Sequence, residues 1–178
     1  DCQTDISTLA DAIKNSGLHM EFIMFDDCYM SNIEVAYELK EVTDHLIAST
    51  CEIMAYGMPY AEFGNALFGA PNYQKVCEKF CDFYSSYSRP CGTIAVTDCK
   101  EVDNMANIMK EINSQYTFDS SLTGTLQKLD GYSPVIFYDF GSYVSTLCKD
   151  DMLLAKFNQQ LSKLVPYKAN TPRFWSNL

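Results

Sequence analysis

Helices and short apolar strands alternate along the first half of this chain, and alternation of that kind builds an α/β fold of three layers, a mainly parallel sheet with helices on both faces. Two further observations support it. The run Phe22-Ile23-Met24-Phe25 is too short for a buried helix and reads as a buried strand. The chain, 178 residues and 47% apolar, carries no internal repeat or long linker, so residues 1–178 read as one domain. In order, residues 4–16 place Ile6, Leu9, Ala10 and Ile13 at helical spacing and stop at Gly17, which predicts a helix with one buried face. A strand over 19–25 follows, then a turn, a helix over 31–42 and a second strand at 46–49. After the loop 50–58, helices are predicted at 59–67 and 73–87, with Pro59 suited to a first turn and Pro71 dividing the two. Residues 92–97 form the clearest later strand. A helix over 101–113 succeeds it, with Val102, Met105, Ile108, Met109 and Ile112 inward. The pattern weakens from Tyr116. Residues 151–165 are helical again, while 135–138 fit a strand or an apolar loop equally well.

The charge balance narrows the function classes. Thirteen basic against 23 acidic residues give a formal charge of −10, which disfavours a nucleic-acid partner and suits basic substrates. No apolar run approaches the roughly 20 residues that span a bilayer. The start Asp1-Cys2-Gln3-Thr4 lacks the basic and apolar regions of a signal peptide. Eight cysteines in a chain of this size read as reduced core residues rather than a disulfide framework. Cys77 and Cys81 lie one helical turn apart, but no second Cys or His pair accompanies them, so no metal site is assigned. Asp139-Phe140-Gly141 resembles a magnesium-binding tripeptide without its companion motifs. It reads instead as an Asp capping a short helix that runs to Leu147.

One cysteine stands apart. Cys28 sits in the turn between the first strand and the helix over 31–42, whose start is marked by Ser31 and Glu34 at capping-box spacing. A thiol near a helix N-terminus has a local reason to be nucleophilic. In open α/β sheets the functional crevice lies beyond the carboxyl ends of the strands, where Cys28 and the loop 50–58 both fall. Asp26, two residues earlier, points to the same side as Cys28 if the strand stays extended. Its carboxylate there holds a cationic side chain beside the thiol. Glu52, in the loop after the second strand, is a candidate second wall by position. His19 and His45 both open strands, away from the carboxyl ends, and are expected to be structural. A flavodoxin-like nucleotide-binding reading is disfavoured because no glycine-rich loop follows any strand.

The stretch MEFIMFDDCYMSNIEVAYEL at 20–39, followed by TDHLIAS at 43–49 and GMPY at 57–60, resembles the nucleophile region of the clostripain family of cysteine peptidases, in the caspase-like clan. The likeness is dense over residues 4–60. Beyond them only YDFG at 138–141 and Thr171-Pro172 look familiar. The resemblance implies a caspase-like fold and a secreted or periplasmic bacterial endopeptidase that cleaves after Arg or Lys through a Cys-His dyad and an acyl-enzyme. Cys28 takes the place of its nucleophile and Asp26 that of the aspartate for Arg or Lys. Neither histidine here precedes a glycine as the family's catalytic His does. The family's self-cleavage into two chains accounts for this: the present chain is then the Cys-bearing heavy chain beginning at Asp1, completed by an upstream light chain that carries the His. Calcium, used by some members, enters through the resemblance alone, and no calcium loop is recognisable. The competing reading is a non-enzymatic caspase-like module that binds peptides or partner proteins.

Overall fold

The computed structural model describes residues 4–174, so the expectation for Asp1 lies outside it. Helix α1 (Ile6–Asn15) leads into β1 (Met20–Met24), α2 (Ile33–Leu39) and β2 (Thr43–Ala48). A short α3 (Tyr60–Phe63), extended by a 3-10 turn over Gly64–Ala66, precedes α4 (Tyr73–Ser85) and β3 (Thr93–Asp98). Then come α5 (Val102–Gln115), α6 (Phe140–Leu147), α7 (Asp151–Leu164) and β4 (Tyr167–Asn170). The sheet order is β1-β2-β3-β4.

The α/β class and its helix-covered faces are as the sequence predicts, but the sheet among the described residues is mixed rather than mainly parallel. β1 and β2 run parallel, with Met24 opposite Ile47. β3 is antiparallel to β2, with Ala95 opposite Ala48, and β4 is antiparallel to β3. The cause is the β2–β3 connection. It has two helical legs: the first carries the chain from the end of β2 down to Tyr73, whose ring packs on His45. The second, α4, returns it to the level of Gly57, whose carbonyl accepts the Tyr84 hydroxyl. A connection that goes out and back delivers β3 beside the end of β2, not its beginning.

Alternation along β2 divides the apolar residues between two cores. Leu46 and Ala48 join Leu39, Met105, Ile112 and Phe157 beneath α1, α2, α5, α6 and α7. Ile47 joins Ile94, Val96, Phe63, Val76, Phe80 and Tyr84 beneath α3 and α4. A slip of one residue in β2 would exchange these faces, so its register is strongly fixed. β2 begins at Thr43, earlier than the 46–49 expected, because backbone pairing with β1 extends through polar positions that periodicity overlooks. His45 is therefore its third residue, not its first. Residues 135–138 form a loop with a single bridge, Tyr138 to Lys128, and β4, mostly exposed, had no apolar pattern to announce it. Asp139 caps α6 as expected, accepting from the Ser142 N–H at 2.7 Å.

Candidate active site

The chain after β1 stays with the sheet for one more residue, the Phe25 N–H donating to the Ile47 carbonyl at 3.0 Å, and then turns away at Asp26. It is stitched to the loop after β2: the Tyr29 N–H donates to the Cys51 carbonyl at 3.1 Å and the Ser31 N–H to the Ser49 carbonyl at 2.9 Å. That second loop is itself fixed from β3. Thr93 Oγ1 bonds Ser49 Oγ at 2.8 Å and accepts the backbone N–H groups of Thr50 and Cys51, both at 3.2 Å. At its tip the Ile53 N–H donates to Cys28 Sγ at 3.3 Å. Cys28 is half-buried.

This differs from the expected helix-terminus environment. The Ser31–Glu34 capping box does not form. Asn32 is the N-cap, its Oδ1 accepting the Val35 N–H at 2.8 Å while its Nδ2 donates to the Tyr29 carbonyl at 2.8 Å. An amide side chain that bonds on both sides of the turn outcompetes a serine hydroxyl, so α2 begins at Ile33 rather than 31. Cys28 stands four residues before the Asn32 cap, outside the first turn of α2. Its polar neighbours are both groups of the Ile53 backbone, the N–H that donates to Sγ and the carbonyl that accepts from it at 3.8 Å.

Asp26 is held by the end of the same loop, Oδ1 accepting the Met58 N–H at 2.9 Å and Oδ2 the Tyr60 hydroxyl at 3.0 Å. Burial and the Asp26 charge both push the Tyr60 hydroxyl above its ordinary pKa, so it remains a donor. Gly57 completes the seat: its φ is +70°, and a Cβ there would stand 2.8 Å from Asp26 Oδ2. Asp26 is exposed to solvent. Glu52 precedes Ile53, and its Oε1 accepts the Tyr132 hydroxyl at 3.4 Å. The structure thus gathers Cys28, Asp26 and Glu52 on one pair of loops at one end of the sheet, with the two carboxylates anchored by different neighbours.

The histidines do not join them. His19 Nε2 lies 3.3 Å from Asp44 Oδ1, and His45 Nδ1 lies 3.2 Å from the Tyr73 hydroxyl. The other thiols are placed differently from Cys28. All seven cysteines among the described residues are free. Burial pushes the thiol of Cys51 upward and those of Cys77 and Cys99 to about 12, which keeps them protonated. Cys77 packs in the α4 core, whereas Cys81 Sγ donates to the Asn170 carbonyl at 3.4 Å. Among the described residues no three His, Cys, Asp or Glu side chains gather to hold a metal.

Sequence reasoning missed a third contributor, the loop 130–137. Phe137 stacks on Tyr29 with ring centroids 4.3 Å apart and planes 3° from parallel, and Tyr132 approaches the same ring at 6.0 Å. The signal available was Asp130-Gly131, a turn dipeptide ahead of an apolar run. A cavity of about 930 Å³ opens behind this stack, between the sheet face, α2, α6 and α7; Tyr29 and Phe137 line it and Cys28 does not.

Comparison with known proteins gives these features a family. The Clostripain family (Peptidase C11) model matches residues 2–170. A clostripain from Bacteroides thetaiotaomicron ATCC 29148, solved in complex with the peptide inhibitor BTN-VLTK-AOMK, is 65% identical with a TM-score of 0.95, over 97% of this chain and 78% of that one. A secreted C11 cysteine protease from the same species, iotapain, is also 65% identical with a TM-score of 0.95, over 97% of this chain but 49% of its own. An inactive zymogen C11 protease from Parabacteroides distasonis is 34% identical with a TM-score of 0.83, over 94% of this chain and 49% of its own. The chain thus spans about half the length of two of these relatives. No curated protein matches. A family match over almost the whole chain and a fold shared with these proteases leave one assignment: the chain belongs to the clostripain family of cysteine peptidases.

Proposed function

We propose that this chain is the nucleophile-bearing part of an endopeptidase that cleaves after Lys or Arg, with Cys28 as nucleophile and Asp26 as the residue that selects the basic side chain. The observation that carries the reading is the placement of a half-buried thiol and a fixed, solvent-facing carboxylate two residues apart on one loop. Asp26 keeps acceptor capacity beyond its bonds to Met58 and Tyr60, and a carboxylate in a rigid seat favours an ammonium or guanidinium over a neutral side chain. The relative's inhibitor carries lysine next to its AOMK group, which supports the same preference. Glu52, tied to Tyr132, is proposed as a secondary contact.

The Cys28 thiolate attacks the substrate carbonyl carbon, and the C=O electron pair moves onto oxygen, which takes the Cys28 N–H as a donor. Collapse of this intermediate breaks the C–N bond, with a histidine from an upstream segment protonating the leaving amine. The neutral histidine then takes a proton from water as its oxygen attacks the acyl carbonyl carbon, and breaking of the C–S bond releases the acid and restores the Cys28 thiolate. The histidine comes from outside the chain because both of its own are engaged elsewhere, and release of that segment by self-cleavage is part of the proposal. The secreted relative supports export, and no helix among the described residues is long and apolar enough to cross a membrane.

The test is a peptide panel varying only the residue before the scissile bond, assayed with the parent enzyme, Cys28→Ala and Asp26→Asn. Cys28→Ala is expected to fold and to lose turnover. Asp26→Asn is expected to lose about tenfold or more on Lys and Arg substrates alone, the size of one unmatched charge contact. Retained turnover in Cys28→Ala, or an unchanged preference in Asp26→Asn, overturns the corresponding role.

A further inference from the structure

We infer that the loop 130–137 is a positioning latch for the nucleophile, with Asp130 ordering the loop and Phe137 pressing it onto Tyr29, an inference that rests on the reading of Cys28 above. Asp130 is completely buried and belongs to no reaction step. Its carboxylate accepts the N–H groups of Tyr132 at 2.7 Å, Ile136 at 2.8 Å and Phe137. Burial alone would push this carboxyl up, but the three donors together outweigh it and hold it below its ordinary range. One buried anion therefore fixes both limbs of the loop. The base is closed by the Leu129 N–H on the Phe137 carbonyl at 3.0 Å.

What the loop grips is the residue after Cys28. Tyr29 has φ +61°, in the left-handed region, and is the only such non-glycine residue among those described. A bulky side chain there is strained and persists only where the surroundings over-determine it. Tyr29 is 7% exposed and stacked on Phe137, and its hydroxyl has no hydrogen-bond partner among the described residues, so packing holds the ring. The same loop reaches the thiol by a second route, because Tyr132 bonds Glu52, the neighbour of Ile53, whose N–H meets Cys28 Sγ. Asp130 and Phe137 bond and pack on the loop and on Tyr29 rather than on the thiol, which makes them positioning residues. The alternative, a loop that is simply a substrate wall, draws on the exposure of Tyr132 and Ile136 and predicts a different kinetic signature.

The experiment uses the assembled enzyme with its upstream segment, active-site titrated. Phe137→Ala is expected to lower kcat by about tenfold or more with KM within about twofold, because small misplacement of a reacting group is costly. Iodoacetamide alkylation of Cys28 should change in parallel, and Phe137→Tyr, which keeps a ring able to stack, should restore both. Parental kcat and alkylation in a folded Phe137→Ala overturn the latch, and so does a loss confined to KM, which marks a substrate wall. If Phe137→Ala does not fold, Asp130→Asn is judged by the same criteria. Because alkylation reads Cys28 without substrate, it separates failure of the latch from failure of the peptidase reading, which Cys28→Ala tests alone.

Discussion

Asp27 Oδ1 accepts the Cys28 N–H at 2.8 Å, occupying the donor that the proposed mechanism offers to the oxyanion. Substrate must displace that carboxylate, and a hydrogen bond of this kind is worth about 1 kcal/mol net. Asp27→Ala is therefore expected to raise kcat by about fivefold with KM little changed, as measured by steady-state kinetics; a fall in kcat would mean that Asp27 shapes the turn rather than competing with the oxyanion. Gly57 gives a second test at this scale. Gly57→Ala places a methyl 2.8 Å from Asp26 Oδ2 and forces a side chain into φ +70°, so the carboxylate must leave its seat. The expected result is a loss on Lys and Arg substrates approaching that of Asp26→Asn, with neutral substrates unaffected. Equal losses on all substrates would show that the loop, and not the carboxylate, had moved.

The loops at the sheet's carboxyl end are stable for reasons that differ along the chain. The loop 130–137 depends on one carboxylate whose folded pKa lies below its ordinary value, so its contribution is complete above the ordinary carboxylate range and is lost as pH falls through the lowered value. Amide exchange of Ile136 and Phe137 should thus stay slow from neutral pH down to about pH 4 and quicken only in stronger acid. In α4 the stabilising term is apolar. Cys77→Ala, in a buried position with its thiol held neutral, is expected to cost about 1–3 kcal/mol in denaturant unfolding without touching activity. These contrasts explain what the sequence made legible. Strands β1 and β3, helices α1, α4, α5 and α7, and the shared position of Cys28, Asp26 and Glu52 were readable because apolar period and strand order act locally. The start of α2 was misjudged because Asn32 and Ser31 are both good caps, and Asn32 prevails through its bonds to Tyr29 and Val35 on either side of the turn, which sequence spacing does not show. The Asp130-Gly131 turn was legible, but the roles of Asp130 and Phe137 were not, because they depend on the closed loop and on the stacking of Phe137 upon Tyr29, which no local pattern encodes.

Viewed as a whole, the sheet has two unlike edges. β4 is short, mostly exposed, preceded by Pro166 and bears Lys168, the features by which natural proteins blunt an edge against further pairing. β1 has none of these. Its sequence, MEFIM, carries a single charge, and among the described residues it pairs only with β2. If the proposed upstream segment exists, the apolar, unguarded edge beside the nucleophile loop is where its strand would add, bringing its histidine to the same end of the sheet as Cys28. The interface would then be of the obligate kind, large and apolar, one core divided between two chains. Mass spectrometry of the full precursor and of its Cys28→Ala form tests this arrangement together with self-cleavage. The parent is expected as two fragments that stay associated through gel filtration, and the variant as one uncut chain. Identical cutting in both would assign the cleavage to another protease, and fragments that separate under native conditions would remove the β1 edge as the seam.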